Sequence, residues 1–218
     1  MGVRRLTRNE AAFVIGVPIA WAILLLFHPG GEGDAIYAEI HDETTRMLAV
    51  HIGMLIFLPL FAIAIYLLLR DIETTAATVA RWALIPFVVF YAAWESLQGI
   101  ANGVLVEQAN GLPEADRGVA AQLIQDFAES PLVTDFGVFA IIGSVALLTA
   151  AIATGLALRD AGGPAWAPAV FGIAGFLISA HPPPFGPLGL LLFVAGVIGV
   201  MRSRPAAEPP TPAADLAA

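Results

Sequence analysis

Four histidines are the residues in this sequence best suited to hold a metal ion, since imidazole is the commonest metal ligand in proteins and titrates near neutral pH. They are His28, His41, His51 and His181. Three of them lie at or near the ends of apolar segments, and we predict that these three meet around one outward-facing pocket. The candidate metal ligands are His28, His51 and His181, with Asp34, Glu39 or Asp135 nearby.

The spacing of the histidines is not diagnostic of a metal site. The sequence has no H-E-x-x-H pattern, and His41 and His51 are ten residues apart, which places them on different faces of a continuous helix. A second interpretation stays open, because histidines at helix ends also bond carbonyl groups and serve as caps.

Glu95 is the only acidic residue well inside an apolar segment. A carboxylate in that position costs at least about 2–3 kcal/mol unless it is paired, hydrated or protonated. Helical spacing places it on one face with an aromatic and two amide side chains. We predict a ligand-binding site formed by Tyr91, Glu95, Gln98, Asn102 and His51. The alternative is that a protonated Glu95 bonds a neighbouring helix and stabilises the packing.

The composition narrows the chemistry that these side chains can perform. The chain has no cysteine, which excludes disulfides, thiolate metal sites and cysteine catalysis. Every basic residue is an arginine, which excludes a lysine Schiff base. Haem could be ligated only by His, Met or Tyr. The identity of any cofactor stays unknown at this level.

The elements that must position these residues are membrane helices. Of the 218 residues 58% are hydrophobic and 13% charged, with a mean hydropathy of +0.82, which indicates an integral membrane protein. Thr7 and Glu10 form a capping-box pattern before the first apolar segment. The segments of about membrane-spanning length are 11–27, 47–69, 82–106, 132–158, 165–180 and 187–201. The last two are short and form either two spans or one re-entrant hairpin.

The charges of the loops predict an orientation. All arginines except Arg46 and Arg117 fall on one side, which is cytoplasmic by the positive-inside rule and places both termini there. The opposite loops are long and acidic, and the second of them carries a predicted amphipathic surface helix. Its apolar stripe is Val119, Leu123, Ile124 and Phe127. All four histidines fall on this outer side.

The predicted fold is an all-α six-helix transmembrane bundle in the cell membrane, with one membrane domain over 1–202 and a disordered Pro/Ala-rich cytoplasmic tail over 203–218. The preferred function is binding or translocation of a small ligand or ion at the outward-facing polar site. Two alternatives are a non-catalytic subunit or assembly factor of a membrane complex, and a haem- or metal-dependent redox enzyme. The expected partners are the lipid bilayer and another membrane protein or a second copy of the chain, with no nucleic acid.

Overall fold

The computed structural model describes residues 6–29 and 35–203, and every regular element in this part of the chain is a helix. The predictions for Asp34, Arg4, Arg5, Arg204 and the tail beyond lie outside the described residues. The helices are α1 (Arg8–Leu25), α2 (Ile36–Ile40), α3 (Thr44–Leu69), α4 (Thr75–Glu95), a π-helical segment (Ser96–Ala101), α5 (Asn102–Asn110), α6 (Glu114–Ala128), α7 (Val138–Asp160), α8 (Ala167–Ser179) and α9 (Phe185–Arg202).

Five of these helical stretches are long and apolar enough to cross a membrane. Three of them are α3, α7 and α9, a fourth is α1, and the fifth is the continuous stretch Thr75–Asn110 formed by α4, the π segment and α5. Helix α8 has 13 residues, so it is only about 20 Å long. The chain is therefore a helical bundle whose composition and helix lengths are those of a multi-pass membrane protein.

The beginning of α1 follows the predicted capping box. The backbone N–H of Glu10 donates to Thr7 Oγ1 at 3.3 Å, and the N–H of Thr7 donates to Glu10 Oε2 at 2.8 Å. Two backbone donors that a helix leaves unpaired are thereby satisfied. The prediction for the start of the first helix is confirmed.

The predicted start of the fourth long helix at residue 132 is wrong by six residues. Residues 131–137 form successive turns, and α7 begins only at Val138, after the extended backbone of Gly137. Pro131 cannot supply a backbone donor to a helix. The turns leave the carbonyl of Val133 free to accept a hydrogen bond from Trp94, which a continuous helix would not allow.

Within the described residues, the short helix α8 and five longer apolar helices pack in a closed ring. In order around the ring, α1 contacts α3, α3 contacts α4, α4 contacts α7, α7 contacts α8, α8 contacts α9, and α9 contacts α1. The interior is filled by apolar side chains, among them an edge-to-face aromatic series. That series consists of Trp21, Phe61, Phe193 and Phe171, with ring centroids 4.8–5.5 Å apart.

A second, smaller core joins α2, α5 and α6 to the beginning of α3 at one end of the bundle. It contains Ile40, Met47, Val106, Ala109 and Ile124. The predicted amphipathic helix is therefore present as α6, but its apolar stripe is divided, since Ile124 is buried and two of its other members are exposed. The exposed members are Val119 and Leu123, which remain available to lipid.

Close packing of α4 on α7 predicts a large effect of Gly143→Ala. A Cβ at this position would lie 2.8 Å from the backbone nitrogen of Tyr91 and 3.0 Å from its Cα, and backbone atoms cannot yield as a side chain can. We expect a loss of about 1–3 kcal/mol of stability. Thermal unfolding in detergent should show a lower Tm than for Gly16→Ala, where a Cβ meets nothing within 4 Å. Equal Tm values would contradict the packing.

Candidate functional site

Three helix ends bring His28, His51 and His181 together. His28 follows α1, His51 lies two turns into α3, and His181 follows α8. One potential ligand atom from each imidazole lies within 4.8 Å of the others. The ring centroids are 4.9 Å apart for His28 and His51, 4.8 Å for His28 and His181, and 6.2 Å for His51 and His181. We refer to these three residues as the histidine cluster.

Two of the imidazoles use Nδ1 for hydrogen bonds to the backbone. His28 Nδ1 lies 2.7 Å from the carbonyl oxygen of Pro29, and His51 Nδ1 lies 2.8 Å from that of Met47. A carbonyl only accepts, so both Nδ1 atoms must carry the proton. In the neutral ring, Nε2 of each residue is then left with a lone pair, which is the form that binds a metal.

The imidazole of His181 faces that of His28 through its Nε2 atom. His181 Nε2 lies 3.1 Å from His28 Nε2, while His181 Nδ1 is buried and has no hydrogen-bond partner. That Nδ1 atom lies 3.7 Å from Oε1 of Glu95. The ring of His181 thus stands between the rest of the cluster and a carboxylate.

Glu95 is the acidic group of the site and is 1% exposed. Its Oε2 lies 3.6 Å from Nε2 of His51, and its Oε1 has no hydrogen-bond partner. The structure therefore brings the predicted pair Glu95 and His51 together, and adds His181 to it. Both contacts are longer than hydrogen bonds, so a modest inward movement of the ring of His181 would close one of them.

Burial and mutual repulsion favour the neutral form of the imidazoles of His28 and His181. Burial lowers the pKa of His28 to about 4, and the positive charge of a protonated His51 would lower it further. Burial also lowers the pKa of His181, with additional contributions from His28 and His51. Neutral imidazoles are the metal-binding form, so burial favours metal binding, whereas the hydrogen bond of His28 to Pro29 raises its pKa and opposes this shift in part.

The π segment leaves room for the imidazole ring of His51. A Cβ built on Gly99 would overlap the imidazole ring of His51, so only glycine leaves room for the ring at this point of the helix. The segment begins directly after Glu95, and π-helical turns are frequent at functional sites. No local sequence pattern around Gly99 indicates that it contacts a histidine.

Two aromatic residues of α4 fix the end of α8 that carries His181. Tyr91 donates its hydroxyl to the carbonyl of Ser179 at 3.2 Å. Trp94 lies 5.1 Å from His181 between ring centroids and donates its Nε1–H to Val133 at 2.9 Å. Tyr91 therefore supports the end of α8 that precedes His181, and its role in ligand binding stays a prediction. No sequence pattern distinguishes Trp94 from the other tryptophans.

The two predicted amide residues lie one and two turns past Glu95. The side-chain nitrogen of Asn102 donates to the carbonyl of Gln98 at 2.9 Å and to its Oε1 at 3.2 Å. In the part of the chain that the structure describes, neither residue hydrogen-bonds a histidine. The buried Oδ1 of Asn102 has no partner. Gln98 and Asn102 are thus adjacent to the site and outside the histidine cluster.

The other candidates lie apart from the cluster. His41 is exposed, with Nδ1 3.0 Å from the carbonyl of Ala38 and Nε2 3.1 Å from Asp42. Within residues 6–29 and 35–203, neither Glu39 nor Asp135 forms an ion pair with the cluster. The only carboxylate within 4 Å of the three histidines in these ranges is that of Glu95.

No protein-family model, curated protein or solved structure matches this chain. The chemistry of the cluster and of Glu95 is therefore the basis on which its function is inferred.

Proposed function

We propose that this protein is a multi-pass membrane protein that binds one divalent transition-metal ion through Nε2 of His28, His51 and His181. The observation that carries the proposal is the convergence of three buried or half-buried imidazoles from three separate parts of the chain. Two of them have Nδ1 bonded to carbonyl groups, so that Nε2 is the nitrogen left to bind a metal. Metal-ligating histidines in proteins are held by the same kind of outer hydrogen bond.

Glu95 completes this pattern for the third histidine. If His181 carries its proton on Nδ1, that proton points toward Oε1 of Glu95 and Nε2 is free for the metal. If the proton is on Nε2 instead, His181 donates it to Nε2 of His28 in the ion-free protein, and a lone pair on Nδ1 faces the carboxylate. The first arrangement is a carboxylate–histidine–metal triad.

The charges also favour a cation at the centre. A carboxylate buried in a membrane helix is costly, and among the described residues the ion-pair contacts of Glu95 are with histidines only. Neutral histidines cannot balance its charge. A divalent ion beside it does, so one ion satisfies three lone pairs and one buried carboxylate together.

The donor set indicates the class of ion. Three imidazoles suit zinc, copper, iron and nickel rather than magnesium or calcium. Bonds of about 2.0–2.1 Å in a tetrahedral zinc site separate two ligand nitrogens by about 3.3 Å. Nε2 of His28 and Nε2 of His181 are already 3.1 Å apart, so zinc fits with little movement of these two rings.

The proposed topology has six spans, with both termini cytoplasmic and the site at the outer ends of the helices in the cell membrane. The arginine distribution supports this orientation, and α8 with α9 would supply a short span and a full one. Beyond the site, about 15 Å further along α3, the bundle is filled by Phe61 and its aromatic neighbours. That filling favours binding over translocation of the ion.

Metal analysis of the purified protein tests the proposal. Protein in phosphatidylcholine nanodiscs, stripped with a chelator and then loaded with zinc, should retain about one zinc ion per chain after gel filtration. Cobalt in place of zinc should give the visible absorption of a four-coordinate site. A protein that returns from gel filtration without zinc would overturn the proposal.

A further inference from the structure

The two oxygens of Glu95 face different partners. Oε1 lies 3.7 Å from Nδ1 of His181, whereas Oε2 lies 3.6 Å from Nε2 of His51, the nitrogen assigned to the metal. Among the described residues, Glu95 comes within 4 Å of His51 and His181 and not of His28. The carboxylate therefore lies beside two of the three imidazoles, and its Oε2 is near a nitrogen that is proposed to bind the ion.

Three protein ligands leave a tetrahedral ion with one open position. Zinc sites that perform chemistry keep that position for water, and zinc makes this water a nucleophile at neutral pH. A carboxylate next to the open position can accept the proton that the water gives up. In the described chain, Glu95 is the one acidic group placed to do so.

The surroundings of the cluster are apolar and exposed. His28 is only half-buried, and it directly follows Leu26 and Phe27, which are 64% and 60% exposed. Phe185 and Leu188 come four and seven residues after His181 in the chain and are more than half exposed. In a membrane, exposed side chains of this kind contact acyl chains. A molecule that reaches the cluster past them therefore arrives from the lipid.

We infer that the site is a hydrolytic centre for carboxylic esters carried on acyl chains, with Glu95 as the general base. This inference rests on the proposed metal site. It adds a water molecule at the fourth position, a role for Glu95 Oε2, and a substrate class set by the apolar surroundings.

The proposed reaction uses no oxidant or reductant. Water at the fourth position transfers a proton to Oε2 of Glu95, and its oxygen forms a bond to the ester carbonyl carbon. The carbon–oxygen bond to the alcohol part then breaks, and the leaving alkoxide takes the proton from Glu95. The products are a carboxylic acid and an alcohol, and the oxidation state of the ion does not change.

The test uses the full chain in phosphatidylcholine nanodiscs, with 4-nitrophenyl octanoate as the ester. Zinc-loaded protein should hydrolyse it, stripped protein should not, and readdition of zinc should restore the rate. Glu95→Gln, loaded with zinc at a concentration that saturates its weakened site, should show a kcat lower by about 10²–10⁴-fold. Glu129→Gln is the matched control, since Glu129 is an exposed carboxylate on the bundle surface that bonds Gln125. It should keep the wild-type rate.

The chain length of the ester tests the substrate class. The octanoate should exceed 4-nitrophenyl acetate in kcat/KM by about tenfold or more, because apolar contacts discriminate by that order per group. Equal values would overturn the assignment of acyl esters. This comparison uses only the wild-type protein, so it is independent of how Glu95→Gln folds.

The outcomes separate this inference from the metal site itself. Protein that holds zinc but hydrolyses neither ester faster than stripped protein overturns the hydrolytic inference and leaves the metal site standing. A well-folded Glu95→Gln that binds no zinc even at saturating concentration overturns it as well, because loss of an outer hydrogen bond lowers affinity by only about 10–100-fold and Glu95 would then be a ligand. Wild-type protein that holds no zinc overturns both.

Discussion

Replacement of His51 by glutamine is expected to lower zinc affinity by about 100-fold or more, since loss of an outer-shell partner alone costs about 10–100-fold and His51 is a proposed ligand. Glutamine keeps the side chain polar and of similar length, and it cannot supply the imidazole nitrogen. The change also leaves Glu95 Oε2 without its closest neighbour in the site. Competition with a chromophoric chelator measures the affinity directly.

The matched control for this prediction is His41→Gln. His41 is exposed and contacts Asp42 and its own loop, so its replacement should leave zinc affinity unchanged. His28→Gln and His181→Gln should behave as His51→Gln does. Equal zinc affinity in all four variants would show that the cluster does not bind the ion.

The second large effect is expected for Gly99→Ala. The added methyl group would occupy the position of the His51 ring. Either the ring rotates, so that its Nε2 no longer points at the ion, or the π segment moves away from α3. We expect loss of zinc binding together with about 1–3 kcal/mol of stability, the usual cost of overpacking. Zinc content after gel filtration and the Tm of the stripped protein measure the two effects separately.

Gly103→Ala distinguishes this effect from a general intolerance of the helix. A Cβ there would lie 2.9 Å from Cδ2 of Leu48, the tip of a flexible side chain that can move aside. This variant should retain zinc and lose less stability than Gly99→Ala. If both variants kept zinc equally well, the space that Gly99 leaves for the His51 ring would not be required for zinc binding.

Much of the fold was accessible from hydropathy. Long apolar stretches in a chain with few charges predict membrane-length helices, and five such stretches are present. The ends of these helices were harder to predict, because the turns between them depend on contacts with side chains that are distant in the sequence. Residues 131–137 are apolar enough to extend α7, yet they form turns whose carbonyl at Val133 binds Trp94 of another helix. No local pattern contains that contact.

The candidate site was predictable in its residue types and not in its geometry. His28, His51 and His181 were identified because each lies near the end of an apolar segment. Their approach to one another depends on how α1, α3 and α8 are ordered around the ring, which hydropathy does not specify. Glu95 was identified by its cost in a membrane, and its contact with two of the histidines emerged only from the packing of α4.

The register of the amide residues shows a different limit. Spacing in a regular α-helix placed Gln98 and Asn102 on the face of Glu95. The π segment that begins at Ser96 inserts an extra residue into the turn and changes the directions of the side chains that follow. It brings Gly99 against His51 and leaves the two amides bonded to each other. A sequence pattern based on a constant period cannot represent such a change.

The chain order of the ligands has a consequence for biosynthesis. His28 and His181 are 153 residues apart, and the second of them follows α8, next to the last helix of the bundle. A ribosome-bound chain that ends before α8 lacks the third imidazole, so under the proposed ligand set it has no complete site. Binding free energy in such a site is also folding free energy, and it becomes available only after the ring closes. An ion would therefore bind this cluster only in the completely folded chain, and occupancy of the metal site would distinguish mature chains from insertion intermediates.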